Sequence, residues 1–506
     1  MNANLYTLFQ SCFPEDKTAC CIETHDGLYY SWNDLDRASA KIANLLSGLN
    51  LPKDSRIAVQ VEKSPEALIL YLATLRSGHV FLPLNTAYRA AEIEYFIDNA
   101  EPAVVVCSPG NFGWVSQIAF KLGTKHVFTL SDDRQGSLLT RAALQSNSFD
   151  TVERKPDDLA AILYTSGTTG RSKGAMLTHG NLASNAKVLK DYWQWQPGDV
   201  LLHALPLFHV HGLFVASHGA LLNGSKMIFL PKFDSTEVIR HLPRATVFMG
   251  VPTYYVRLLA DPAFDRAACE RMRLFISGSA PLLLDTFESF TERTGHTILE
   301  RYGMSETTML VSNPYDGERI GGTVGLPLPG VSVRIINSDG EECGTDEIGD
   351  IQVKGPNVFS GYWRMPEKTA EEFTSDGYFK TGDVGKFDAK GYLSIVGRSK
   401  DLIISGGYNV YPKEIESVID EIDGVVESAV VGVPHPDFGE AVTAVVVTAP
   451  GVTLEEHDII SQLKGKIANF KVPKRIYFVA ELPRNTMGKV QKNILREQFS
   501  TARQTT

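Results

Sequence analysis

Apolar positions along the first two thirds of the chain follow two alternating rhythms. Short continuous runs at 57–61, 80–82, 104–106 and 159–163 read as buried strands. Between them apolar residues recur at helical spacing, as at Leu35, Ala38, Ile42, Leu45 and Leu46, and again through Ile93, Tyr95 and Phe96. Asp26-Gly27 ahead of Leu28-Tyr29-Tyr30 predicts a hairpin turn. Ser64 followed by Pro65 predicts a helix start, and Gly78 marks its end. The order repeats with a strand at 246–249, a helix at 254–259 and a strand at 274–276. Strands and helices alternating over short loops predict a doubly wound α/β architecture with largely parallel sheets.

From Val331 the pattern changes. Runs at 331–336 and 350–353, with the turn Ser338-Asp339-Gly340, read as antiparallel hairpins that complete the large lobe as a small β subdomain. Beyond Gly397-Arg398-Ser399-Lys400-Asp401 it changes again. Pro412 opens a helix through Ile415, Val418 and Ile419, strands follow at 429–433 and 444–447, and a further helix ends near Ile467. The fold expected is therefore α/β, with a large N-terminal lobe (1–398) of doubly wound sheets plus the β subdomain. A small, mobile α+β C-terminal domain (399–506) follows it.

Composition narrows the function classes. A chain of 506 residues exceeds what one core supports. A net charge of -10 argues against a general nucleic-acid binder. Six cysteines, with Cys20 and Cys21 adjacent, form neither a zinc spacing nor a disulfide framework, so a reducing, cytoplasmic setting is expected. The first 17 residues lack the pattern of a signal or transit peptide. The segment 200–225 has no Lys, Arg, Asp or Glu, but His203, His209, His211, His218 and Pro206 inside it make a membrane span costly. It is expected to be core and active-site wall, and no membrane partner is expected.

The candidate chemistry centres on Tyr164-Thr165-Ser166-Gly167-Thr168-Thr169-Gly170-Arg171-Ser172-Lys173-Gly174. Its glycines let the backbone turn tightly, hydroxyls line the turn, and Lys173 adds a positive charge, which together describe a cradle for phosphate oxygens. The apolar run before it and the helix start near Asn181 after it suggest a strand–loop–helix. No Gly-Lys-Ser/Thr triplet closes it, so it is not a Walker A loop; a flexible Ser/Gly loop is the bland alternative. Further on, Glu300-Arg301-Tyr302-Gly303-Met304-Ser305-Glu306-Thr307 follows a strand, and Glu306 suits Mg²⁺ beside phosphates, unless it is a solvated surface residue. Asp383, after Thr381-Gly382, can accept two ribose hydroxyls. Arg398 can reach a ribose or phosphate, and Lys400 lies where a hinge would fall. Pro483-Arg484-Asn485-Thr486-Met487-Gly488-Lys489 either presents Lys489 as a point charge or simply exposes it.

These motifs, in this order and over nearly the whole chain, resemble the adenylate-forming superfamily of acyl-CoA synthetases, adenylation domains and luciferase. The resemblance implies that Thr165, Ser166, Gly167, Thr168, Thr169, Gly170 and Lys173 hold ATP phosphates. Ser279, Ala280, Pro281, Glu300, Arg301, Tyr302, Gly303 and Ser305 would frame the nucleotide, and Asp383 and Arg398 would hold the ribose. Glu306 would bind Mg²⁺, Lys400 would be the hinge, and His209 would switch between carboxylate and thiol access. Lys489 would stabilise the adenylation transition state by electrostatics, with Thr168, Glu306 and His209 also in the catalytic set. Acetylation of Lys489 would remove its charge, so a lysine acetyltransferase and deacetylase are expected partners.

No carrier region follows Lys489, which points to free CoA as the thiol. From Lys464 to Arg496 there are nine basic residues against Glu481 alone, either a patch for CoA phosphates or a solvated face. For the acid, Arg244 stands immediately before an apolar strand, where it is either a surface residue or a bidentate partner for a second carboxylate. Resemblance favours the second. Arg244 with its strand, the 205–213 segment, 301–306 and 312–317 are similar to malonyl-CoA synthetases, which implies that Arg244, helped by Ser277, His209 and Met304, holds malonate. Val210 and Thr308-Met309-Leu310 depart from that pattern and leave methylmalonate open. The function expected is ATP-dependent ligation of malonate to CoA through malonyl-AMP. Another short-chain or aryl-acid CoA ligase, a non-catalytic ATP-binding protein and a luciferase-like oxygenase are the alternatives.

Overall fold

Four of the apolar runs align in one six-stranded sheet, in the order His126–Thr129, Val104–Cys107, Arg56–Gln60, Val80–Pro83, Leu159–Thr165 and Lys173–Thr178. All neighbours are parallel except the last pair. The computed structural model describes residues 2–165, 172–405, 408–435, 438–464, 466–485 and 488–501. Its contacts group the chain into two units, Met1–Ser332 with Lys354–Phe373, and Val333–Val353 with Thr374–Thr506.

The first unit holds this sheet and a nine-stranded one. The second sheet runs Leu326–Pro327, Thr308–Ser312, Leu299–Met304, Leu274–Ser277, Val247–Gly250, Val200–His203, Lys226–Phe229, Cys20–Thr24 and Tyr29–Ser31. Cys20–Thr24 and Tyr29–Ser31 form the hairpin predicted from Asp26-Gly27. Helix Pro65–Arg76 begins as expected, with Ser64 Oγ accepting from Ala67 N at 3.2 Å and Pro65 in the first turn. Every residue of that helix is buried, which its nearly continuous apolar composition permits. Phe96, Val105 and Ile162 sit in one core cluster, and Phe248, Phe275 and Phe290 in another.

One expectation is modified. The glycine-rich segment joins two antiparallel strands, with Thr165 opposite Lys173, and the helix His179–Tyr192 starts only after the second strand. Ala175 and Leu177 are buried, so this strand is held by packing as well as pairing. The segment 200–225 consists of strand Val200–His203, a π-helix His211–Ser217 and helix His218–Asn223, with His203, His211 and His218 buried. Among the described residues no helix is long and apolar enough to cross a membrane.

The second unit contains a four-stranded sheet, Ser332–Ile336, Gly349–Lys354, Phe379–Phe387 and Leu393–Arg398, and a five-stranded one. The latter is built on the long antiparallel pair Val425–His435 and Gly439–Thr448, with Arg475–Phe478 added in parallel. Helices Pro412–Asp420 and Glu456–Lys464 cover it through Ile415, Ile419, Ile459 and Leu463. Contacts thus place 333–353 and 374–398 with the C-terminal residues.

Candidate functional site

Strands Val200–His203, Val247–Gly250, Leu274–Ser277 and Leu299–Met304 are parallel, so their C-terminal ends open on one edge of the nine-stranded sheet. Ligand sites of open α/β sheets lie along that edge. Ser277 ends its strand fully buried, and its Oγ has no hydrogen-bond partner. A Cβ on the next residue, Gly278, would come within 2.4 Å of Arg301 Cζ and Nη1; the guanidinium therefore lies across bare backbone. Ser279 is held at φ 72°, a left-handed conformation that a serine seldom adopts, and its Oγ is 3.3 Å from His211 Nδ1. Glu300 Oε1 accepts from Leu282 N at 3.1 Å and so ties the 278–283 loop to the neighbouring strand.

Arg301 is the strongest anion receptor of this group. It is 3 % exposed, and its Nε and Nη2 are buried without partners. Burial pulls its guanidinium down to about 9. The group stays protonated at neutral pH, and a buried cation with open N–H groups is costly until an anion fills the place. His211 is also buried, with Nε2 unpartnered. Burial first, then Arg301, holds its pKa well below the usual imidazole value, so it presents a neutral ring. Arg301, His211, Ser277 and Ser279 make a cup suited to a carboxylate.

A second group in the same unit surrounds Lys173. Its ammonium is 3.5 Å from Glu372 Oε1 and lies 4.2 Å over the Tyr362 ring. Tyr362 OH donates to Glu306 Oε1 at 3.0 Å, and Glu306 is buried. A cation, an aromatic and a fixed carboxylate thus stand together beside the glycine-rich segment. Among the described residues no group of three or more His, Cys, Asp or Glu could hold a metal by itself. One oriented carboxylate instead fits an ion such as Mg²⁺ that brings phosphate oxygens with it.

In the second unit, Asp383 and Arg398 face each other across strands Phe379–Phe387 and Leu393–Arg398, with Nε 2.8 Å from Oδ1. Lys400 is in the short 3₁₀ turn Ser399–Asp401; partial desolvation, then Arg398, lower its ammonium to about 8. Lys489 N donates to Asn485 Oδ1 at 3.0 Å, and Gly488 has φ 75°, which closes a tight turn. The basic run from Lys464 to Arg496 is laced with ion pairs. Lys466, Lys471, Arg475, Arg484, Lys492 and Arg496 pair with Glu421, Glu414, Glu456, Glu427, Glu416 and Asp401. Much of its charge is neutralised within the unit.

The structure does not bring Arg244 to the cup. It lies before strand Val247–Gly250, at the opposite end from Ser277, and its Nη2 is 2.6 Å from both oxygens of the buried Glu23. Lys226 pairs with the same carboxylate. Tyr302, Met304 and Ser305 are half-buried beyond Arg301, and a Cβ on Gly303 would meet Thr308 O at 1.9 Å. Ala280 and Pro281 follow Ser279 on the 278–283 loop. His209 Nδ1 accepts from His211 N at 3.3 Å. Ser166, Gly167, Thr168, Thr169, Gly170, Gly406, Gly407, Thr486 and Met487 lie outside the described residues. In the sequence His211 stood out only as one of the histidines of the 200–225 wall, and Tyr362 and Glu372 not at all, since no motif spacing marks them.

Comparison with known proteins adds independent findings. The family model described as AMP-binding enzyme matches residues 10–363, and the AMP-binding enzyme C-terminal domain matches 414–489. The crystal structure of ATP-bound MatB from Rhodopseudomonas palustris aligns with a TM-score of 0.97 at 56% identity, covering 99% of this chain and 100% of its own. A malonate–CoA ligase of Arabidopsis thaliana is 35% identical, over 98% of this chain and 90% of its own. The mitochondrial malonate–CoA ligase ACSF3 of Mus musculus is 37% identical, over 88% and 82%.

Proposed function

From the premise that the chain belongs to the AMP-binding enzyme family, we propose that it is an AMP-forming malonate–CoA ligase. The observation that carries the choice of acid is Arg301, a buried guanidinium with two open nitrogens beside Ser277, Ser279 and His211. A fatty-acid pocket has no use for such a charge, whereas the distal carboxylate of malonate matches it. The named malonate–CoA ligases among the relatives point the same way.

In this reaction one malonate carboxylate attacks the α-phosphorus of ATP, giving malonyl-AMP and pyrophosphate. The thiolate of CoA then attacks the acyl carbon and releases AMP. Lys173 exchanges Glu372 for the phosphates, with Thr165, Ser166, Gly167, Thr168, Thr169 and Gly170 as the remainder of the cradle. Ala280, Pro281 and Tyr302 serve the adenine, and Asp383 and Arg398 the ribose. Glu306, held by Tyr362, would hold a Mg²⁺, which would offset phosphate charge when bound. Lys489 offsets the charge that grows on the attacking carboxylate and the α-phosphate, and His209 controls access to the acyl carbon. Lys400 is the hinge at the 398/399 boundary. Acetylation of Lys489 would silence the first half-reaction, and the six free cysteines fit a reducing, cytoplasmic setting.

A panel of acids followed by pyrophosphate release tests the assignment. Malonate should support the fastest turnover, with AMP as the nucleotide product. Good turnover of acetate, octanoate or an aryl acid with none of malonate would overturn it in favour of another acyl-CoA ligase, and absence of AMP with every acid would leave only nucleotide binding.

A further inference from the structure

Lys63 follows strand Arg56–Gln60 and is 8 % exposed, yet no carboxylate is among its hydrogen-bond partners. Its Nζ is 2.8 Å from the carbonyl oxygen of His203, 3.0 Å from His203 Nδ1, and 4.4 Å over the Phe229 ring. His203 ends a strand of the other sheet. Its second ring nitrogen, Nε2, is 3.1 Å from Gly212 O and 3.0 Å from Ser217 Oγ, and Ser217 Oγ donates to Gly212 O at 2.9 Å.

One placement of protons satisfies these contacts. A carbonyl oxygen only accepts, so His203 carries its hydrogen on Nε2. Nδ1 is then an acceptor, and Lys63 donates to it, as amine or as ammonium. Burial, the largest cause for both groups, favours their neutral forms, which suits this tautomer.

The receiving carbonyl belongs to the π-helix His211–Ser217. Wide turns of this kind arise where side chains enter the backbone ladder, and they cluster at functional sites. A Cβ on Gly212 would lie 1.9 Å from Pro206 O, so the segment between His203 and Gly212 closes on itself at this point. His209 and His211 both ride on the closed segment, and His211 reaches Ser279 of the cup.

We propose that Lys63 is a positioning residue for acid recognition. Acting through His203 and the Gly212 carbonyl, it sets the π-helical turn that presents His211 to the Arg301–Ser279 cup. The proposal rests on the malonate assignment only for the choice of acid.

The readout is the ratio of kcat/KM for malonate to that for propionate, measured by pyrophosphate release with the full-length protein. Lys63→Met keeps the length of the side chain and removes the donor. It should lower the ratio about tenfold while the KM for ATP stays within about twofold. Val105→Ala, a core change in the six-stranded sheet that also holds Arg56–Gln60, costs stability and should leave the ratio unchanged. An unchanged ratio in Lys63→Met, or an equal fall in Val105→Ala, overturns the proposal. Should Lys63→Met not fold, Ser217→Ala decides. A fall of about threefold supports the relay, and no change overturns it. If the wild type does not activate malonate, the functional assignment fails. The ratio is then taken between the acid it uses best and the next best, so the two failures are separable.

Discussion

Arg301 and Arg244 show how strand direction decides what an arginine does. Both flank apolar strands, and resemblance rather than spacing made Arg244 the expected carboxylate ligand. A parallel strand has only one functional end, however, and a residue preceding the strand stands at the other one. Arg244 accordingly neutralises Glu23, whereas Arg301 sits past the start of Leu299–Met304 and turns across Gly278. Arg301→Met should cut kcat/KM for malonate by about 10²-fold or more, because a carboxylate left unmatched in a buried cup costs on the order of 3 kcal/mol. Gly278→Ala should act in the same direction by crowding the guanidinium. Arg244→Met should stay within about twofold in kcat/KM and cost about 1 kcal/mol of stability, since Arg244 is half exposed and Lys226 still pairs with Glu23. Steady-state kinetics of the three variants check this, and the reverse ranking of the two arginines would return the acid site to Arg244. Glu306, Asp383 and Lys489 stand out in the sequence because each has a fixed place in a motif. His211 was not, since a two-residue offset from His209 does not tell which ring faces the pocket inside a π-turn.

At the scale of elements, the strands and helices of the parallel sheets were legible because each buries a continuous run or a stripe. What escaped was context. Strand Lys173–Thr178 is short and polar at its start, and its pairing with Leu159–Thr165 became visible only in three dimensions. The π-helix carries the Gly212 carbonyl, bonded by the side chains of His203 and Ser217, a pairing that apolar spacing does not reveal. Helix Pro412–Asp420 was predicted, yet its last residue carries an energetic conflict that helical spacing hides. Asp420 is a carboxylate at a helix C-terminus, where the helix dipole disfavours negative charge. Burial raises its carboxyl to about 6, while Ser428 Oγ donates to it at 2.7 Å. Ionising it in the folded state therefore costs stability. The cost is absent below about pH 4, where the group is protonated in both states, grows up to pH 6 and is complete above that. Asp420→Asn keeps an acceptor for Ser428 and should stabilise this unit by up to about 2–3 kcal/mol at pH 7.5, with the difference vanishing near pH 4. Thermal melts of both proteins across that range check the sign, and parallel pH profiles would show that Asp420 ionises in the folded protein without penalty.

The residues proposed for the chemistry are shared between two units. The anion cup and the Lys173–Tyr362–Glu306 group belong to the first, and Asp383, Arg398, Lys400 and Lys489 to the second. The order of motifs put Lys400 and Lys489 in the C-terminal domain but Asp383 and Arg398 in the large lobe (1–398), whereas contacts group all four in the second unit. That grouping was hidden because the β hairpins at 333–353 and 374–398 carry the same alternating pattern whichever neighbour they pack on. A ligase that joins an acid to a thiol through an adenylate must perform two reactions with opposite electrostatic demands. In the first, negative charge builds on two oxygen-rich reactants, and a lysine ammonium is worth about 10²–10³ in rate. In the second, a thiolate attacks an already activated carbonyl, and that ammonium has no comparable charge to stabilise. Lys489→Ala should therefore abolish malonate-dependent exchange of pyrophosphate into ATP, yet convert supplied malonyl-AMP and CoA to malonyl-CoA within about threefold of the wild-type rate. Acetylation of Lys489 removes the same charge and should reproduce this split. Equal loss of both half-reactions in Lys489→Ala would mean that the side chain supports the fold or both reaction states, and its assignment to adenylation alone would be withdrawn.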